Sequence, residues 1–341
     1  MARKTIKLKK GSYESAKISV MKGSLYSDDV FNNLKKLSFD EILKFLEENG
    51  FRDSIDKSYI QFEGFSLIER VLNLHMSKVY KHVISSASKQ NREFLESYYL
   101  KYQIHNIMVV LRCLISGEKD VTSYLIGDDR LKEKFVKASN MPKVEDALVY
   151  LVKKFSINPD SALEEYKKGI YNLENYLYKV YYSRLVSKKF SYNGIDEKKF
   201  FFFIRKYIDI LNARTFLKLK VEKIEEIDFN DLYFEGGNLN LNFYEKLKDK
   251  SIGDVLEKFS NKFGDNFEKC RDFSCIFVID KLATLHKKQG NDLFKQIKFG
   301  SPFYTLKFLF LLELQMAKLR VLLKMKYMDL PSEEFEGLVS K

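Results

Sequence analysis

The chain is 341 residues long, room for two or three ordinary domains or one larger repetitive one. It is 45% apolar, with only 4 prolines, 15 glycines and no tryptophan, a composition that excludes general disorder and favours helices over a turn-rich β-sandwich. Its 59 basic and 47 acidic residues leave +12, which points to an acidic partner such as nucleic acid, an anionic membrane face or an acidic protein.

The first ten residues carry Arg3, Lys4, Lys7, Lys9 and Lys10 without an apolar signal core, and read as a frayed basic terminus. A first helix start follows at Ser38-Phe-Asp-Glu41-Ile-Leu43, which has the capping-box form of a serine with glutamate three residues later. Ile68-Glu69 opens a long amphipathic helix, on which His75 and His82 share a face as partly exposed side chains without a zinc set. A third pattern starts at Gln103 and runs Gln103-Ile-His-Asn106-Ile-Met-Val-Val-Leu111-Arg112. Gly117 and Gly127 then break the chain.

The same order now recurs. Lys143-Val-Glu-Asp146 repeats the helix start without the capping serine, and Asn158-Pro159 precedes a further capping box at Ser161 to Glu164. Leu173-Glu174 repeats the second pattern, and the aromatic run Tyr176 to Tyr182 reads as packing between helices. Four phenylalanines, Phe200 to Phe203, point all round a helix and so predict one buried on most sides. Asp209-Ile-Leu-Asn212-Ala-Arg-Thr-Phe-Leu217-Lys218 is the second copy of the third pattern, 106 residues after the first. Gly236-Gly237 forms a turn, and Asn238 to Phe243 is a short stretch of period two.

In the last third, Ser251-Ile-Gly-Asp254 is another capping box and Ile279-Asp280 another apolar-acidic pair. Ser301-Pro302 opens the last long helix, and Pro331-Ser332 ends it. Gln315-Met-Ala-Lys318-Leu-Arg320-Val-Leu-Leu323-Lys324 is the third copy, again 106 residues on. Apolar residues recur one, four, seven and eight places after the start of each copy, a helical stripe. Asn106 and Asn212 stand at the same place in two copies. Asparagine is a poor residue for a helix interior, so a repeated structural hydrogen bond is expected there; Lys318 cannot accept such a bond.

Three all-helical units are therefore expected, over residues 1–118, 119–224 and 225–341. Three similar consecutive units close most naturally around a pseudo-threefold axis as a ring, cup or funnel. The repeated polar positions Gln103, Asn106, Arg112, Asp209, Asn212, Lys218, Gln315, Arg320 and Lys324 are the candidate structural or partner-contact residues. Nothing points to catalysis: no phosphate-cradling GxxxxGK[ST] loop and no GxGxxG fingerprint occurs. Cys113, Cys270 and Cys275 are too few for a disulfide scaffold and lack zinc spacing, and His105 and His286 are isolated. No cofactor or metal is expected. No apolar stretch approaches the ~20 residues that span a bilayer.

These stretches resemble the C subunit of archaeal and bacterial A/V-type rotary ATPases, equivalent to the d subunit of the eukaryotic vacuolar ATPase, over nearly the whole chain. Tyr99 to Arg112, Tyr207 to Arg214 and Tyr233-Phe-Glu-Gly-Gly-Asn-Leu239 carry the likeness most strongly. In the C-terminal signature, Glu313, Arg320 and Lys326 keep the family's pattern, Gln315 and Lys318 depart from it, and Leu319 replaces isoleucine. Gln103 stands where the family usually has aspartate. The resemblance implies an all-α funnel of three helical domains and a non-catalytic subunit with no nucleotide site. It implies a place on the cytoplasmic face of the membrane, peripheral, holding the central-stalk subunits and coupling them to the membrane rotor ring of proteolipid subunits for proton or sodium transport. The rival reading from charge and aromatics is a helical nucleic-acid-binding protein, but the basic residues are interspersed with acids rather than gathered in one tract, and nucleic acid is not the expected partner.

Overall fold

The computed structural model describes residues 11–118, 121–122, 124–127, 129–187, 194–224, 227–264, 282, 290 and 292–331. Arg3 to Lys10, Cys270, Cys275, Ile279, Asp280, His286 and Ser332 lie outside them. Every regular element among the described residues is helical. None of these helices is long and apolar enough to cross a membrane.

Local chemistry sets the helix starts. Helix α1 (Ser12–Lys22) and α2 (Asp28–Leu34) lead into α3 (Phe39–Leu46), whose capping box closes as expected. The Glu41 carboxylate accepts from the Ser38 N–H at 2.8 Å, and the Glu41 N–H donates to Ser38 Oγ at 3.3 Å. Helix α4 (Arg52–Tyr59), the 23-residue α5 (Gly64–Ser86) and the 28-residue α6 (Lys89–Ser116) follow. Gly117 ends α6 in the left-handed conformation that only glycine adopts at little cost.

Helices α7 (Asp129–Ser139), α8 (Val144–Lys154), α9 (Pro159–Lys168), α10 (Ile170–Ser187) and the 28-residue α11 (Ile195–Glu222) come next. Lys143 precedes α8 without a side-chain cap. The expected box at Ser161 does not start α9. Asn158 does, accepting from the Asp160 and Ser161 N–H groups, because Pro159 is already set in helical φ at the first helical position. The remaining helices are α12 (Phe229–Leu232), α13 (Leu241–Glu245), α14 (Ile252–Phe263) and the 25-residue α15 (Phe303–Tyr327). The alternating stretch Asn238 to Phe243 forms no strand; Asn240 caps α13 by accepting from the Phe243 N–H at 3.1 Å. Ser251 and Asp254 close a second capping box on α14.

The three copies of the third pattern lie on α6, α11 and α15, the three longest helices among the described residues. All four stripe positions are buried in each: Ile104, Ile107, Val110 and Leu111; Ile210, Ala213, Phe216 and Leu217; Met316, Leu319, Leu322 and Leu323. Fully burying one large aliphatic side chain stabilises by about 1.5–3 kcal/mol, so each stripe is a principal anchor of its helix. One apolar core runs from Ile18 to Met325, and a smaller one gathers around Tyr244, Phe216 and Phe259. Of the four phenylalanines, Phe200 and Phe203 are in the core, whereas Phe202 is exposed.

Each of these helices packs on several others. Helix α6 lies on α7, α8 and α10, and α11 lies on α12 and α14. Helix α15 lies on α1, α3 and α5.

Candidate functional site

Where α6, α11 and α15 come together with α10 they leave a hollow of about 410 Å³. Its wall takes the same positions from all three long helices. Tyr98, Ile204 and Phe310 each stand five residues before their copy of the third pattern, and Lys101, Tyr207 and Glu313 each stand two before it. Tyr102, Tyr178, Tyr181 and Tyr182 complete an aromatic lining.

The two charges in this wall pair with each other. Lys101 Nζ lies 2.8 Å from both Glu313 carboxylate oxygens. Tyr80 donates to Glu313 Oε1, and Tyr98 donates to Oε2 at 3.3 Å. Burial, followed by the Glu313 charge, holds both phenols well above their ordinary pKa, so they remain donors. Burial holds Lys101 below its ordinary value, although Glu313 pulls the other way.

A second hollow of about 600 Å³ shares Tyr102, His105, Ile126 and Glu313 with the first and continues it between α5 and α15. Glu69 sits in its wall and takes two cations from α15. Arg320 Nε donates to Glu69 Oε2 at 2.8 Å, and Lys324 Nζ lies 2.7 Å from Oε1. Arg320 also donates to Asn73 Oδ1 at 3.1 Å. Burial alone would raise the Glu69 carboxyl; Arg320 and Lys324 outweigh it and hold the group below its usual pKa. One step round, Arg112 of α6 donates to Glu174 of α10 at 2.6 Å. In both places the last basic residue of the third pattern meets the acid of the second pattern in the next copy.

The repeated polar positions fasten the loops between helices. Asn106 Nδ2 donates to the Ile126 carbonyl at 2.7 Å, and its Oδ1 accepts from the Ile126 N–H at 2.9 Å. Asn212 makes the same two bonds to Phe234, each at 2.8 Å. In the third copy the task moves one turn earlier: Gln315 Oε1 accepts from the Tyr26 N–H at 2.7 Å, while Lys318 pairs with Asp28 at 3.0 Å. Asp209 accepts from the Leu239 N–H at 2.9 Å and from Asn238 at 3.0 Å; burial raises its pKa, and these bonds oppose the rise. The turn at 236–237 is required there. Gly236 has φ +100, and a Cβ on Gly237 would fall 2.2 Å from Asp209 Oδ1.

The sequence profile of the ATP synthase (C/AC39) subunit family matches residues 15–338. The chain belongs to that family. It is similar to the C subunit of the A-type ATP synthase of Archaeoglobus fulgidus, 25% identical over 335 residues that cover 95% of this chain and 94% of that one. The protein of the same name from Thermococcus kodakarensis is 24% identical over 322 residues, covering 92% and 86%. That of Methanococcoides burtonii is 27% identical over 240 residues, covering 69% and 67%.

Of the sequence candidates, Arg112, Arg320 and Lys324 enter inter-helix ion pairs, while Asn106, Asp209, Asn212 and Gln315 hold loops. Gln103 is buried with its Oε1 unpartnered among the described residues, and Lys218 is exposed. The histidines divide: His75 stacks on Phe51 with ring centroids 3.6 Å apart, and His82 is exposed. Sequence reasoning picked out the acids and the bases separately but not their pairing, nor Lys101 with Glu313. The signal was the recurrence of opposite charges at two fixed places, Glu69 and Glu174 against Lys324 and Arg112.

Proposed function

We propose that the chain is the central-stalk adapter of an A-type ATP synthase, a non-catalytic subunit that couples the rotating stalk to the membrane rotor ring. Three helical units, 1–118, 119–224 and 225–341, form a pseudo-threefold funnel in this reading, peripheral at the cytoplasmic face of the membrane. Its partners are the central-stalk subunits and the proteolipid ring, and its complex moves protons or sodium ions. The observation that carries the reading is the wall of the axial hollow, where equivalent positions of α6, α11 and α15 converge. Membership of the ATP synthase (C/AC39) subunit family supports it. A coupling must pass torque without shearing, and helices tied in cyclic order by buried stripes and ion pairs suit that task.

The test is co-elution. The purified chain is mixed with the two central-stalk subunits and the detergent-solubilised ring from the same source and run on size exclusion. Elution of all components together is the expected result; a folded chain that elutes apart from both would refute the proposal.

A further inference from the structure

We infer that the end of the molecule at which α1, α11 and α15 start is a direct contact surface for an anionic lipid bilayer, made of open apolar groups at the tip with lysines behind them. The adapter reading holds the chain at the membrane through protein partners alone; this surface adds lipid as a partner. Three rings fix where that end lies. Phe94, the sixth residue of α6, Phe200, the sixth of α11, and Phe303, the first of α15, pack against one another with centroids 5.3 or 5.4 Å apart. Helix α1 joins them there. The Gly11 N–H donates to the Gly300 carbonyl at 3.3 Å, and Ser15 Oγ accepts from the Gly300 N–H at 3.0 Å. Ile195, the first residue of α11, stands five residues before Phe200, about 7.5 Å of helix. Tyr13, Phe299 and Ile195 are 74%, 57% and 73% exposed. Large apolar groups gathered at one end mark a contact surface rather than scatter.

Charge and shape decide the occupant. Helix α1 and residues 292–307 carry Lys17, Lys22, Lys295, Lys298 and Lys307 against Glu14 and Asp292. Glu14 is committed within the fold, accepting from the Ser88 N–H at 2.6 Å and from Asn91 Nδ2 at 2.7 Å, and Asp292 lies 3.6 Å from Lys295. Lys17 donates to Ser86 Oγ at 3.1 Å and Lys307 to the Lys295 carbonyl at 3.3 Å, neutral partners that leave both charges standing. Burial, and after it the charge of Lys22, holds the Lys307 amine below its ordinary pKa, so cation faces cation here. The ten residues before Gly11 add Arg3, Lys4, Lys7, Lys9 and Lys10 and no acid, and ten residues reach at most about 35 Å. At the start of α11, Asp196 and Glu197 are matched by Lys198 and Lys199, so that side contributes Ile195 rather than charge. A surface both basic and apolar suits the interface of an anionic bilayer. The cleft beside α1, between it and α5, holds about 10 Å³, too little for a phosphate or a nucleobase, whereas a bilayer needs no pocket. Nor do the rings offer a stacking platform: the Lys17 amine sits 5.7 Å over Tyr13, and Phe299 meets Tyr304 edge-on.

The experiment is co-sedimentation of the full chain with vesicles of phosphatidylcholine, with and without phosphatidylserine, at low and moderate salt. The unaltered chain is expected to bind the phosphatidylserine vesicles at least about tenfold more tightly than the neutral ones, and to lose most of that difference as salt screens the surface. Tyr13→Ser/Phe299→Ser, altered only at exposed positions, is expected to weaken binding at least about fivefold. Each lysine near an anionic surface is worth about fivefold, so Lys9→Gln/Lys10→Gln/Lys298→Gln is expected to lose at least about thirtyfold. Lys220→Gln/Lys223→Gln/Lys248→Gln removes the same charge beside the far end of α11 and is expected to lose less than about threefold. Helicity and melting temperature check that each variant folds. Equal binding to both kinds of vesicle, tip variants that bind as the unaltered chain does, or equal losses in the two lysine variants would each overturn the inference. So would a single-stranded oligonucleotide that displaces the vesicles and is itself released by the tip variants, which would assign this end to nucleic acid. Co-elution with the stalk and ring is read separately, so failure here leaves the adapter reading in place.

Discussion

Replacing Asn106 by leucine tests whether the repeated asparagine is a structural clasp. Asn106 is fully buried, and its amide both donates to and accepts from the backbone of Ile126. Leucine has similar volume, so the loss is mainly polar. The Ile126 N–H and C=O are each left without a partner in a dry place, and an unmade buried hydrogen bond costs about 1–3 kcal/mol. Leucine burial offsets part of this, leaving an expected net loss of about 2–4 kcal/mol. Asn212→Leu, with its two bonds to Phe234, should lose a similar amount. Lys318→Ala is the control at the corresponding place. Its partner Asp28 keeps 89% of its side chain exposed, and such a pair is worth about 0–1 kcal/mol. Urea unfolding followed by far-ultraviolet circular dichroism reads all three. Equal shifts for Asn106→Leu and Lys318→Ala would refute the clasp.

Three further outcomes follow from the same geometry. Lys101→Met should destabilise by roughly 2–4 kcal/mol by stranding Glu313, and Lys101→Met/Glu313→Leu should recover most of that in the same unfolding assay, because a partly buried ion pair costs more to break than to replace. Glu69 has a depressed carboxyl pKa, so its contribution is present above the ordinary value of 4.5 and fades as pH falls through the lower folded value; Glu69→Gln should flatten the acid limb of a stability-against-pH curve below 4.5. Burial pushes His75 from 6.5 down to about 4, with Lys78 adding to the effect and a bond to Gly50 opposing it, so the unfolded chain binds a proton that the folded one refuses between those values. Stability should therefore fall as pH drops from 6.5 toward 4, by as much as about 3 kcal/mol, and His75→Phe, which keeps a ring against Phe51, should remove that slope in pH-stepped unfolding.

Much of the local structure was legible because its causes are local. A serine with an acid three residues on sets the starts of α3 and α14, and a stripe of period 3.6 marks the inner faces of α6, α11 and α15. The start of α9 was misplaced because two local signals compete there, and a proline preset at the first helical position, with Asn158 before it, prevails over the box at Ser161. Alternation at Asn238 to Phe243 marks no strand because asparagine serves turns and caps as readily as it alternates. The pairings were the hidden part. Glu69 meets Lys324, and Lys101 meets Glu313, across more than two hundred residues, and no local pattern announces which of many lysines an acid will find. The charge-balanced hollow was equally out of reach, since net charge is a sum over the whole surface and says nothing of one cavity.

The third copy departs from the other two for a reason visible in the chain's topology. After α6 and α11 the loop to be fastened arrives some twenty residues later on the same chain, at Ile126 and Phe234, and one buried asparagine holds it in each case. After α15 the corresponding loop is at Tyr26, nearly three hundred residues away in sequence. No short connection delivers it, so the contact must be specific enough to form without one. There the buried asparagine gives way to Gln315 on Tyr26 and Lys318 on Asp28, beside Arg320 and Lys324 on Glu69, the counterparts of Arg112 on Glu174, and Glu313 on Lys101 and Tyr80. Charged and amide pairs of fixed geometry add little net energy each, but they select one register among those an apolar stripe would tolerate. Gln315 and Lys318, the two positions that depart from the pattern of the C-terminal signature, are among them.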